Sequence, residues 1–228
     1  MKLKVAVIAG TPADTQVGVQ YLNDRNEQAQ EQIVETFDYP VSASCDEQIK
    51  FQYSDYREKR AQLDRIFDDA KSKGVQDFFI YCNSLSGAFD FNRYSIEKQV
   101  NIYTPLKVYA HLANRCRKRI GVIAANNLSA YKIEHTIMQE NPDLYVLGAG
   151  MMQVVSAVEA KHSPKEIVEQ CGLIQLLRYF EQNQCECLVL GCTHFPYFKE
   201  ELKRHTGLQI VDPADEMYEE MMKNNNFS

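Results

Sequence analysis

The sequence predicts an α/β protein with mainly parallel sheets, built as two similar halves. Three observations carry that expectation. Short apolar runs alternate with longer amphipathic ones, the pattern of strand–helix–strand crossovers. The apolar runs stop abruptly at polar turns, as buried strands do. The layout also repeats: 68 positions separate Asp14 from Cys82, and 66 separate Asn126 from Cys192. Each half runs strand, polar turn, intervening elements, amphipathic helix and strand, and then reaches a cysteine followed by two polar residues, a duplication of layout rather than of residues.

The elements follow in order. Val5–Ala9 reads as a buried strand closed by Gly10 and Pro12. Residues 57–74 read as a helix, because Leu63, Ile66, Phe67 and Ala70 recur at i, i+3, i+4 and i+7 and Gly74 ends the run. Phe78–Tyr81 is a strand that stops at Cys82-Asn83-Ser84, and Arg119–Ala124 is a strand that stops at Asn126-Asn127. Ser163-Pro164-Lys165-Glu166 has the form of a capping box with proline in the first turn. The helix it starts would continue with Ile167, Cys171, Ile174 and Leu177 on one face. Cys187–Leu190 is a strand that ends at Gly191-Cys192-Thr193-His194, and residues 209–213 form a last short strand before a C-terminal helix. The tail 224–228 is expected to fray. The division places residues 1–97 with 208–228 in the first domain and 98–207 in the second.

Bulk properties narrow the function. No stretch approaches the ~20 apolar residues of a membrane-spanning helix, and the first ten residues lack a signal-peptide cleavage pattern. A net charge of −6 argues against nucleic acid as a partner, since phosphate neutralisation needs clustered Lys and Arg. Seven cysteines, an odd number without an export signal, suggest a reducing cytoplasm rather than a disulfide framework. Thirteen tyrosines and eleven phenylalanines are compatible with a homodimer without requiring one.

In open parallel sheets, ligands bind beyond the carboxyl ends of strands. Cys82, Cys192 and the Asp14 turn all sit at such ends. A thiol can take or give a proton once its neighbours stabilise the thiolate. Inverting a carbon centre needs one group to remove a proton and another to return one from the opposite face, which two opposed thiols can do. Asn83, Ser84 and Thr193 offer donors for a carboxylate, His194 stands two positions from Cys192, and Asp14 is a candidate partner for Cys82. Each residue also has a plainer role. A cysteine at a strand end is usually a small buried hydrophobe, the role assigned to Cys45, Cys116, Cys171, Cys185 and Cys187. Asp14 or Thr15 alone reads as a helix cap, Glu159 as a solvated charge, and His194 as a structural hydrogen-bonder.

Taken together, these residues resemble the aspartate/glutamate racemase family. Gly191-Cys192-Thr193-His194-Phe195-Pro196 is similar to the second catalytic signature of glutamate racemases, and Cys82-Asn83-Ser84 resembles the first. Asp14-Thr15-Gln16-Val17-Gly18 resembles the family's first loop. Val155–Glu159 resembles the segment that supplies an active-site glutamate, and Val211–Ala214 the last strand and turn. The resemblance implies two α/β domains related by a pseudo-twofold axis with the active site between them. It implies racemisation of a small amino acid without pyridoxal phosphate or metal. Cys82 would act on the D-enantiomer with Asp14 in support, and Cys192 on the L-enantiomer with His194 and Glu159. Thr15, Tyr53, Asn83, Ser84 and Thr193 would hold the substrate. Bacterial family members of this kind supply D-glutamate for peptidoglycan.

The chain departs from the glutamate racemase pattern at several places. Gly10–Ala13 adds residues ahead of Asp14, Thr15 replaces serine, and Gln16 stands where glycine is usual. Gln52-Tyr53-Ser54 replaces Pro-Tyr-Gly, and the chain is somewhat short. These changes touch substrate recognition more than proton transfer, so glutamate, aspartate and other amino acids stay open. Three other readings compete: a zinc site from Cys185, Cys187, Cys192 and His194; a thiol hydrolase or transferase using Cys192 and His194; and a binding paralogue without catalysis.

Overall fold

The computed structural model describes residues 2–227. Two compact units divide the chain, Met1–Pro105 with Glu216–Ser228 and Leu106–Asp215.

The first unit runs β1 (Leu3–Ala9), α1 (Pro12–Gln28), β2 (Val34–Pro40), α2 (Cys45–Tyr53), α3 (Tyr56–Ser72), β3 (Asp77–Ile80), α4 (Asn83–Ser86), α5 (Phe91–Lys98) and β4 (Asn101–Tyr103). All pairings are parallel, in the order β2-β1-β3-β4. Residues Val5–Ala9 and Phe78–Ile80 are fully buried, as near-continuous apolar strands covered on both faces should be. On α3, Leu63, Phe67 and Ala70 form the buried face, and Phe67 stacks on Phe78 with ring centroids 4.0 Å apart. The expected helix 57–74 is therefore present, ending two residues earlier.

The long helix α1 carries little apolar periodicity, since its buried positions are Thr15, Gly18, Leu22 and Asn26. Small and polar residues can face the core here because each is satisfied or closely packed. Asn26 accepts from the backbone N–H of Ile33 and Val34 and donates to the Val34 carbonyl, which ties α1 to β2. Gly18 lets the helix approach the sheet: a Cβ there would lie 2.8 Å from both Tyr81 Cγ and Val7 Cγ1.

The second unit runs α6 (Pro105–Arg115), β5 (Arg119–Ala124), α7 (Asn127–Glu140), β6 (Tyr145–Gly150), α8 (Met152–Glu159), α9 (Pro164–Gln170), α10 (Leu173–Gln182), β7 (Cys185–Gly191), a 3₁₀ turn (Phe195–Phe198), α11 (Lys199–Lys203) and β8 (Gln209–Val211). The sheet order is β6-β5-β7-β8, again wholly parallel, so the topology repeats that of the first unit strand for strand. Its core gathers Leu177, Phe180, Leu188, Leu190, Phe195, Phe198 and Leu202. The capping box at Ser163 and Glu166 forms as expected. The single helix expected beyond it is two, because Gly172 adopts φ +75° between α9 and α10, a conformation that breaks a right-handed helix.

α12 (Pro213–Asn224) leads from the second unit back to the first. Residues 208–215 do not return with it, in contrast to the expected division, because β8 pairs with β7. Nor does the tail fray through residue 227. The buried carboxylate of Asp77 accepts from Asn101, Tyr103 and Asn225, and Phe227 N donates to the Met222 carbonyl. A buried carboxylate needs such donors, and the tail supplies one. Ser228 lies outside the described residues. Among those described, no helix is long and apolar enough to cross a membrane.

Replacing Gly18 by alanine ordinarily favours a helix by about 1 kcal/mol. Here the methyl group meets Tyr81 and Val7, so Gly18→Ala should destabilise the protein by about 1–3 kcal/mol, read as a lower urea midpoint with an unchanged slope.

Candidate active site

In both units the connections from the first and third strands leave toward opposite edges of the sheet. That arrangement opens a crevice at the carboxyl ends of β1 and β3, and of β5 and β7. Most of the residues expected at the site cluster at these two places.

In the first unit, Cys82 follows β3 and caps the short α4, with only 7% of its surface exposed. Its Sγ lies 3.4 Å from the Leu85 backbone N–H, 3.3 Å from Ser84 Oγ and 3.6 Å from Gln48 Nε2. Burial pushes the thiol above its ordinary value and the Asp14 carboxylate adds to this, while the Ser84 and Leu85 hydrogen bonds oppose it. Asp14 stands in the first turn of α1, where Thr11 rather than Asp14 or Thr15 is the cap. Thr11 Oγ1 accepts from Asp14 N at 3.3 Å and donates to Asp14 Oδ2 at 2.8 Å. Asp14 therefore reaches Cys82 through its charge, with its own orientation set by Thr11.

Two expected substrate contacts stand elsewhere. Thr15 is fully buried and its hydroxyl donates to the Thr11 carbonyl at 2.8 Å, because a helical threonine can bond back one turn. Tyr53 is 76% exposed at the end of α2, while its half-buried neighbour Gln52 reaches Ser84. Gln48 and Gln52 share one face of that helix, and their Nε2 atoms lie 3.3 and 3.1 Å from Ser84 Oγ. Neither glutamine was anticipated. The available signal was their i, i+4 spacing around the buried Phe51. Asn83 is partly exposed beside Cys82.

In the second unit, Cys192 follows β7 and is 8% exposed. His194 Nδ1 lies 3.6 Å from its sulfur, and His194 Nε2 lies 3.6 Å from Glu159 Oε1 at the end of α8. The three residues thus form a line from thiol to imidazole to carboxylate, with Thr193 partly exposed alongside. Behind them, Asp212 is buried at the end of β8, 3.5 Å from Lys199 Nζ. Burial lifts the Asp212 carboxyl, and the nearby Asp215 adds to the rise. Tyr109 is wholly buried, and burial, with Asp212 and Cys192 adding to it, pushes its phenol well above the ordinary tyrosine value.

The remaining cysteines keep structural positions. Cys116, Cys185 and Cys187 are buried free thiols, with the sulfurs of Cys116 and Cys187 4.0 Å apart. Cys171 is a partly exposed helix cap. The side chain of Cys45 lies outside the described residues. Among those described, no three His, Cys, Asp or Glu side chains are gathered where they could hold a metal ion.

Comparison with known proteins bears on the same regions. Residues 15–221 match the sequence model of the Asp/Glu/Hydantoin racemase family. Glutamate racemase 3 of Caldanaerobacter subterraneus is 28% identical over 164 residues, covering 70% of this chain and 59% of that protein. The chain thus spans about six-tenths of the length of the curated relatives it matches. Among solved structures, the glutamate racemase of Francisella tularensis in complex with D-glutamate superposes with a TM-score of 0.63 at 18% identity, covering 99% of this chain and 83% of that one. The Picrophilus torridus aspartate racemase superposes with a TM-score of 0.70 at 11% identity, covering 98% and 94%. At these identities the structural likeness is one of fold.

The environment of Cys82 yields a directional expectation. Its raised pKa means a smaller thiolate fraction at neutral pH than a free cysteine has, so alkylation by iodoacetamide should begin at higher pH. Asp14→Asn removes the neighbouring negative charge and should move the alkylation profile to lower pH, followed on the Cys82 peptide by mass spectrometry. An unmoved profile would show that Asp14 does not act on this thiol.

Proposed function

The chain belongs to the Asp/Glu/Hydantoin racemase family, and on that premise we propose that it racemises an acidic amino acid, glutamate or aspartate, with Cys82 and Cys192 as the two acid–base groups. The observation that carries the reading is positional. Two buried thiols occupy the same place in two topologically identical units, each just past the third strand and each with its own polar partners. A cysteine kept only as a small hydrophobe has no need of such partners at both places.

The chemistry follows from the thiols themselves. One, as thiolate, takes the proton from the substrate's α-carbon, and its electron pair passes into the carboxylate as an enediolate. The other, as thiol, returns a proton to the opposite face and becomes the thiolate, ready for the reverse direction. Cys82 serves the D-enantiomer and Cys192 the L-enantiomer. His194, held between Cys192 and Glu159, shuttles the charge that develops at that sulfur. At Cys82 the charge meets fixed donors instead, with Asp14 tuning its basicity. Asn83 and Thr193 supply donors to the substrate carboxylates. The names of the relatives support an acidic amino acid as the substrate. The reaction suits a reducing cytoplasm, where free thiols persist.

Proton exchange at Cα in deuterated water, followed by NMR for each enantiomer of every amino acid, tests activity and substrate together. Cys82→Ala and Cys192→Ala should each lower racemisation by at least about a hundredfold. Each variant should still exchange the α-proton of one enantiomer only, L for Cys82→Ala and D for Cys192→Ala. Near-normal turnover of Cys82→Ala in both directions would sink the two-thiol reading.

A further inference from the structure

The hydroxyl of Ser84 stands among three neighbours, and counting protons assigns its direction. A serine hydroxyl has one proton to donate and two lone pairs to accept with. Gln48 Nε2 and Gln52 Nε2, at 3.3 and 3.1 Å, occupy both lone pairs. The proton is then left for the third neighbour, Cys82 Sγ at 3.3 Å. Gln48 carries a second N–H, and the same nitrogen lies 3.6 Å from that sulfur. With the Leu85 backbone N–H at 3.4 Å, three donors converge on Cys82. With its lone pairs taken, Ser84 gives a protonated S–H no oxygen to donate to.

We propose that Gln48 and Gln52 are positioning residues that lock the Ser84 hydroxyl into donating to Cys82, so that the polar shell around this sulfur is built for a thiolate. Gly10 serves the same arrangement, because a Cβ at that position would overlap the Gln48 amide. The shell opposes two influences that favour the thiol, namely burial and the Asp14 carboxylate on α1, the charged group that faces Cys82. Glutamine suits the task because its amide donates without adding charge to a buried site. A lysine would donate too, but its charge would hold the thiolate too firmly for it to regain a proton in each cycle. The catalytic consequence rests on the reading of Cys82 as a base. The orientation of Ser84 does not.

The test is the pH profile of Cys82 alkylation in the full-length protein, read on its own peptide by mass spectrometry, with thermal melting as a check on folding. Gln52→Leu frees a lone pair of Ser84 and should slow alkylation at neutral pH by about fivefold, the loss of one hydrogen bond of ordinary strength. Gln52→Glu should slow it further, since its carboxylate draws the Ser84 proton away from the sulfur. Gln48→Leu should likewise slow alkylation, since its amide donates to both Ser84 and Cys82, and Gly10→Ala should reproduce that effect by displacing the amide rather than removing it. The decisive measurement is a double-mutant cycle. In a Ser84→Ala background, itself slowed, Gln52→Leu should have no further effect. A full Gln52→Leu effect without Ser84, or an unchanged profile in Gln52→Glu, would overturn the proposal. Racemase activity is not part of the readout, so this inference and the functional reading fail separately.

Discussion

Each unit is organised by the parallel pairing of its third strand against its first, β3 on β1 and β7 on β5. Parallel neighbours cannot be joined by a tight turn, so every connection must cross over a face of the sheet. When two neighbouring strands send their crossovers in opposite directions, the ends between them are left uncovered. The residues just past those ends are then free of the obligations of the ladder. Gly10–Asp14 and Cys82–Ser84 occupy such a place in the first unit, and Asn126 and Cys192–His194 in the second. Helix capping, thiol burial and the arrangement of donors all follow from where these two strands stop.

The same position is furnished differently in the two units. Around Cys82 the partners are neutral donors of fixed orientation, from a backbone N–H, a hydroxyl and an amide. Around Cys192 one partner is an imidazole backed by an exposed carboxylate. Fixed neutral donors stabilise charge without exchanging protons. An imidazole near neutrality can exchange them. A duplicated frame thus holds two thiols with unlike polar surroundings. That asymmetry is what the proposed two-base reaction would use, one group for each enantiomer.

Buried polar groups do much of the joining within the first unit. Asn26 stitches α1 to β2 with three hydrogen bonds, and Asp77 gathers Asn101, Tyr103 and Asn225 around the start of β3. These contacts explain why α1 and the chain's last residues escape notice in an apolar pattern. A helix whose buried face reads Thr15, Gly18, Leu22 and Asn26 has no hydrophobic stripe to detect. The short β4 and the edge strand β6, with half-exposed residues, are similarly faint.

By itself the sequence determined the class of fold, the repetition of its layout, and the two cysteines at equivalent strand ends. Those features are written in local periodicity and in abrupt changes from apolar to polar residues. It also marked Ser163 as a cap and His194 as the neighbour of Cys192, since both relations span only two or three positions. Only the tertiary structure decided which distant side chains complete the surroundings of Cys82. It turned Thr15 inward and Tyr53 outward, and it brought Gln48 and Gln52 to Ser84 across 36 and 32 positions of chain. Periodicity says which face of a helix is buried. Which distant hydroxyl or amide meets that face is settled by how crossovers of fixed hand pack on the sheet, and so no local pattern records it.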